Sequence, residues 1–123
     1  MTVERQDLGK AGEERAVVEL QRRGYAILAR RYRTEYGEID IVALDGETTV
    51  FVEVKARVTC EFGSAAEAVT RRKQRRLARM ARDYVARHDL ARRPCRFDVV
   101  AIDGAGTAEE RVTVYRHAFE SCV

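Results

Sequence analysis

Asp40, Glu53 and Lys55 are ionisable residues set inside two runs otherwise rich in Ile, Val and Phe, Gly37 to Leu44 and Thr48 to Arg57. A carboxylate among apolar neighbours is destabilised by desolvation, and two close together repel, unless a cation neutralises them. Glu13 is a third acid of this kind. It precedes Ala16, Val17 and Leu20 by three, four and seven residues and so shares their face of a helix. Carboxylates converging from a hairpin and a neighbouring helix are the hard oxygen ligands that Mg²⁺ or Mn²⁺ prefers. An ion held by Asp40, Glu53 and Glu13 would polarise a phosphodiester and make hydroxide available. Lys55 would orient the water or meet charge developing on the phosphorane oxygens. The chemistry predicted is metal-dependent phosphodiester hydrolysis by Glu13, Asp40, Glu53 and Lys55. Each residue has an ordinary alternative: Glu13 a snorkelling surface acid, Asp40 the polar side of a half-buried strand, Lys55 a partner for Glu53. The prediction rests on their combination.

The elements that must position these residues can be read from periodicity. Residues 7 to 23 form an expected helix, with Ala16, Val17, Leu20 and also Val18 on its apolar side and Gly24 as its stop. Tyr25 to Arg33 is an expected edge strand, and Asp45-Gly46 separates the two apolar runs as a hairpin turn. A two-residue turn at Asp45-Gly46 would set Glu38 against Glu53 and Asp40 against Phe51. A loop reaching Thr48 would set Asp40 directly opposite Glu53. Either register leaves Asp40 and Glu53 on one face, with Phe51, Lys55 and Arg57, while Val50, Val52 and Val54 face the other way. Ser64 to Glu67 has capping-box spacing after a loop at Phe62-Gly63, and Thr70 is a second cap for a helix from Arg71 to about His88. Leu77, Met80, Ala81, Tyr84 and Val85 line one side of that helix. Phe97 to Ile102 and Arg111 to Tyr115 are the last strands. The order α-β-β-β-α-β-β in 123 residues predicts a single α/β domain over 1–123, a central mixed five-stranded sheet flanked by helices.

Charge is divided unevenly along the chain. From Arg71 to Arg96 there are eleven Lys or Arg against Asp83 and Asp89, a local charge of +9 within a total of +3, so the remainder carries −6. Such a division suits one cationic surface for a polyanion and a separate acidic cluster. Arg57, Arg71, Arg72, Lys73, Arg75, Arg76 and Arg79 are the candidate nucleic-acid contacts. Cys60, Cys95 and Cys122 have no paired spacing and point to neither a disulfide framework nor a thiolate zinc site. His88 and His117 lack ligand spacing, the glycines form no phosphate loop, and Ser64 and Ser121 have no triad partners. No apolar stretch approaches a membrane span, and a cytoplasmic location is expected.

The order Gly12-Glu13 with Ala16, then Tyr32-Arg33 leading to Gly37-Glu38-Ile39-Asp40, then Phe51-Val52-Glu53-Val54-Lys55 followed by Arg57, resembles the YraN family. That family comprises small bacterial proteins similar to archaeal Holliday-junction resolvases within the PD-(D/E)xK nuclease superfamily. The likeness continues through Phe62-Gly63, Lys73 to Leu77, Arg96 to Val100 and Ala118-Phe119. It implies a restriction-endonuclease-like fold in which Asp40 and Glu53 match the metal-binding acids, Lys55 the superfamily lysine and Glu13 the helix-borne acid. The superfamily's Pro is absent before Asp40, and Arg31 stands where the family often has Asn. The resulting expectation is a Mg²⁺- or Mn²⁺-dependent endonuclease acting on DNA, branched DNA included. A resolvase would further be a homodimer, because two opposed cuts need two sites. The alternatives are a catalytically silent nucleic-acid-binding module in a DNA-processing complex, and an RNA-directed protein.

Overall fold

The computed structural model describes residues 3–58 and 69–119, with side chains described from Gly9 onward. The expected loop at Phe62-Gly63 and the capping box Ser64 to Glu67 lie outside the described residues. Helix α1 (Val3–Arg22) leads into strands β1 (Ala26–Thr34), β2 (Gly37–Asp45) and β3 (Thr48–Arg57). Helix α2 (Arg71–Arg87), β4 (Cys95–Asp103) and β5 (Arg111–Phe119) follow. The sheet order is β1-β2-β3-β4-β5, with only the β3–β4 pair parallel. This is the mixed five-stranded α/β arrangement expected of an endonuclease-like core. The parallel pair follows from the crossover that carries α2, since a tight turn joins only antiparallel neighbours.

Period two in the central strands divides the core between two faces. Val50 and Val52, with Ile41 and Ala43, pack under Ala16, Val17 and Leu20 of α1. Phe51 and Val42 pack under Leu77, Met80, Ala81, Tyr84 and Val85 of α2, and Ile39, beyond the last β2–β3 pair, departs from the period and joins the same side. One helix therefore covers each face, and β3 is buried on both. The α1 stop is as expected: Gly24 has φ +93°, and the Tyr25 N–H bonds back to the Leu20 carbonyl at 3.0 Å. Val18 differs from expectation. It is 64% exposed, because the stripe through Ala16, Val17 and Leu20 already fills the contact with the sheet. Among the described residues no helix is long and apolar enough to cross a membrane.

A second polar assembly lies at the end of β4 nearest Tyr25. Asp98, fully buried, accepts hydrogen bonds from Tyr25 Oη at 2.8 Å, from Arg96 Nε at 2.9 Å and from the His117 backbone N–H at 3.0 Å. Arg96 also donates to Asp45 at 2.8 Å. The cluster fastens the start of β1, the β2–β3 turn, β4 and β5 to one another, and its charges are neutralised internally.

Candidate active site

The site forms where the β2–β3 ladder stops. Pairing runs from Asp45 opposite Thr48 to Ile41 opposite Val52, so the turn is the two residues Gly46-Glu47. One further step sets Asp40 across from Glu53, the second of the two registers considered above. At that step the Asp40 side chain replaces a backbone acceptor: its Oδ2 takes the Val54 N–H at 2.8 Å. The carboxylate is thereby fixed beside β3 rather than free to turn towards water.

Glu53 is buried on the α2 side of β3, its side chain 7% exposed. A buried negative charge requires a partner, and α2 supplies one. The Thr70 hydroxyl caps the helix by accepting the Lys73 N–H at 3.2 Å. This fixes Lys73 four residues before Leu77 and seven before Met80, on the buried stripe. Its Nζ reaches Glu53 Oε1 at 2.7 Å. Lys55, next on the Glu53 face, meets Lys73 through its own ammonium group.

These neighbours disturb one another's protonation. Burial, then the Glu53 charge and more weakly Glu13, push the Asp40 carboxyl up from 3.8 to about 7, against the opposing Val54 N–H and Lys73. Burial and the adjoining Lys73 lower the Lys55 ammonium from its ordinary value. Burial also opposes the Lys73 charge, but its contact with the Glu53 carboxylate outweighs that and raises it. A carboxyl half-protonated near neutrality, a paired carboxylate and a weakened ammonium are therefore collected at one point.

Glu13 is brought close without joining the cluster fully. Gly12 allows α1 to lie tightly on the sheet: a Cβ there would stand 3.1 Å from Ala56 Cβ. The next residue, Glu13, is 14% exposed and its Oε1 accepts from Arg31 Nε at 2.8 Å. Arg31 adopts φ +51°, a left-handed conformation uncommon for a side-chain-bearing residue, in the middle of β1. Among the described residues, no three His, Cys, Asp or Glu side chains are arranged together to hold a metal. Asp40 and Glu53 have the right donors for a hard cation, and the Lys73 ammonium already stands on Glu53 as one. Glu13 is the nearest further acid by its effect on Asp40, with its carboxylate turned to Arg31.

The candidate nucleic-acid contacts separate. Arg72, Lys73, Arg75, Arg76 and Arg79 line one open cavity of about 800 Å³ between α2 and the β1–β2 turn. Arg71 is exposed at the helix start outside that lining. Arg57 is not part of that lining and lies 3.5 Å from Asp103 on β4. Sequence reasoning placed Lys73 only among the surface cations and missed its contact with Glu53. The available signal was its phase, four and seven residues ahead of Leu77 and Met80. Arg31, Tyr36 and Arg82 were also missed as neighbours of the site, and no local spacing marks them.

The sequence profile described as "Uncharacterised protein family UPF0102" matches residues 12–102. Among similar proteins, UPF0102 protein STH1475 of Symbiobacterium thermophilum is 46% identical over 114 residues, covering 93% of this chain and 97% of that protein. A UPF0102 protein of Ralstonia pickettii is 50% identical over 115 residues, covering 90% and 88% respectively. One from Moorella thermoacetica is 49% identical over 102 residues, covering 83% and 85%.

Proposed function

The chain belongs to the family UPF0102, and from that premise and its acidic site we propose that it is a metal-dependent endonuclease hydrolysing phosphodiester bonds in DNA, branched DNA included. The observation that carries this reading is the buried Asp40–Glu53 pair. Like charges kept at the edge of a core are costly unless they serve a cation, and Asp40 is held by only one hydrogen bond among the described residues. Asp40 and Glu53 would hold Mg²⁺ or Mn²⁺, with Glu13 as the candidate third acid. The ion would supply charge stabilisation at the phosphate and a water of lowered pKa. Lys55 stands beside Glu53, where it would orient the attacking water or neutralise charge on the phosphate oxygens. Lys73 shares the Glu53 carboxylate and also lines the cationic cavity, so the acids sit at one end of a surface suited to phosphates. A paired cut through branched DNA would need two such sites and hence a homodimer.

A second reading, a catalytically silent nucleic-acid-binding module, is favoured by one observation: Glu13 and Glu53 are both satisfied by protein cations, Arg31 and Lys73. The same experiment separates the two. Linear, flapped and four-way-junction DNAs are incubated with the protein and Mg²⁺ or Mn²⁺, with Asp40→Asn and Glu53→Gln as controls. Metal-dependent cleavage lost in both variants is the expected result. Absence of cleavage, with salt-sensitive binding unchanged in both variants, would establish the silent module instead.

A further inference from the structure

Among the described residues the arginines differ in whether they have a carboxylate partner, and Arg71, Arg92, Arg93 and Arg111, away from the cavity, have none. Arg15, Arg22, Arg23, Arg30, Arg31, Arg33, Arg57, Arg87, Arg96 and Arg116 each have a carboxylate partner. Arg72, Arg75, Arg76, Arg79 and Arg82 have none among the described residues, and all five line the same cavity of about 800 Å³. Their spacing of three and four residues runs them along one side of α2. Five cations without a counter-charge among the described residues, gathered around one concave space, suit an anionic ligand with repeated charges.

The opposite wall of that cavity is a single aromatic residue. Tyr36 stands at the tip of the β1–β2 turn and is 41% exposed. The turn is held rigid: Thr34 Oγ1 accepts the Tyr36 N–H and donates to the Gly37 carbonyl, each at 3.0 Å. Gly37 has φ +131°, and a Cβ there would stand 3.6 Å from Met80 Sδ, so the turn is seated directly against α2. The Arg79 guanidinium lies 5.7 Å from the centre of the Tyr36 ring. An exposed ring held across a cavity from a row of cations is a combination that recognises unpaired nucleotides. In a duplex the base faces are covered by their neighbours, so a ring so placed would find nothing to stack upon.

We propose that the cavity between the β1–β2 turn and α2 binds one unpaired polynucleotide strand, a base stacking on Tyr36 while Arg72, Arg75, Arg76, Arg79 and Arg82 take the phosphates. Lys73 belongs to both the cavity and the acidic cluster, so the strand is led from Tyr36 towards Asp40 and Glu53. The proposal rests on the nuclease reading for the purpose of that path, but the binding itself does not require turnover. It gives the single-stranded arm or flap of a branched molecule, rather than continuous duplex, as the recognised part.

Fluorescence anisotropy in EDTA tests it, with labelled oligothymidylate, oligouridylate, an abasic oligonucleotide of equal length and a duplex. Tyr36→Ala is expected to weaken oligothymidylate binding about 5-fold or more, the lower end of what one stacked base contributes. Tyr36→Phe should bind as the parent does, and the abasic strand should bind all three proteins alike. Equal weakening of abasic and base-bearing strands by Tyr36→Ala would assign Tyr36 to the turn's structure and overturn the proposal. So would a duplex bound more tightly than the single strands by every variant. Comparison of the thymidylate and uridylate arms identifies DNA or RNA as the source of the strand. Tyr36-dependent binding without metal-dependent cleavage would uphold this inference and refute the nuclease reading, and cleavage of duplex indifferent to Tyr36 would do the reverse.

Discussion

Replacing Asp40 by Asn should make the protein more stable at alkaline pH and leave its acid stability much closer to the parent's. The amide oxygen can still accept the Val54 N–H, so what is removed is the ionisation alone. Folding raises the Asp40 carboxyl from 3.8 to about 7, chiefly by burial and then by the Glu53 charge. The folded state thus binds this proton more tightly than the unfolded chain does. Stability is lost as pH rises above the unfolded value and levels off once it passes about 7. At ~1.36 kcal/mol per pH unit the full penalty is about 4 kcal/mol. About 2 kcal/mol of it is already incurred at pH 5, leaving about 2 kcal/mol to be lost between pH 5 and pH 8. Urea unfolding of parent and Asp40→Asn in EDTA, from pH 5 to pH 8, measures this as the difference between two curves in which the groups remote from Asp40 cancel. The gap should widen by about 2 kcal/mol with Asn the more stable. A gap that stayed constant with pH would refute the placement of Asp40 as a buried, repelled carboxylate.

Four further outcomes follow from the same geometry. Lys73→Met strands the buried Glu53 charge and should lower unfolding free energy by about 3 kcal/mol, most of which the double variant with Glu53→Gln restores in a denaturant double-mutant cycle. Gly12→Val forces side-chain atoms against Ala56, already 3.1 Å from where a Cβ would lie; it should cost about 2 kcal/mol and lower the thermal midpoint. Arg96→Met leaves Asp98 buried without its cation and should cost about 3 to 5 kcal/mol in urea unfolding. Arg96→Lys should recover only part of that, because one ammonium cannot reproduce the fork that spans Asp98 and Asp45. Under the proposed metal reading, Mg²⁺ or Mn²⁺ at a hundred times its dissociation constant should stabilise the parent by about 2.7 kcal/mol and Asp40→Asn by much less, read as a shift in thermal midpoint.

Much of this arrangement is legible in the sequence. Strand periodicity is two, so a residue's parity decides its face, and the hairpin offered only a few registers. Hence Asp40 and Glu53 could be set together from the positions of Ile41, Val50 and Val52 alone. Helical phase was equally informative for Leu77 to Val85, and it held the position of Lys73 as well, obscured by the run of arginines around it. The contacts that were not legible depend on chain segments far apart. Arg31 meets Glu13 across 18 positions, through a left-handed residue that no propensity selects. Tyr36 meets α2 only because the β1–β2 turn folds onto it.

Asp98 shows why a buried acid in an apolar strand cannot by itself identify a reactive site. Its setting in Phe97-Asp98-Val99-Val100 has the same local signature as Asp40 in Ile39-Asp40-Ile41 and Glu53 in Val52-Glu53-Val54. The difference lies in neutralisation. Asp98 receives a guanidinium, a phenol and a backbone N–H, so its charge is fully answered by groups that also tie four strands together. Asp40, among the described residues, receives one backbone N–H and faces two other acids. The first acid contributes stability, and the second subtracts from it at neutral pH. Only a carboxylate of the second kind has interaction energy left to give to a cation, and that imbalance, more than burial, is the physical ground for proposing chemistry at Asp40, beside a Glu53 already paired with Lys73.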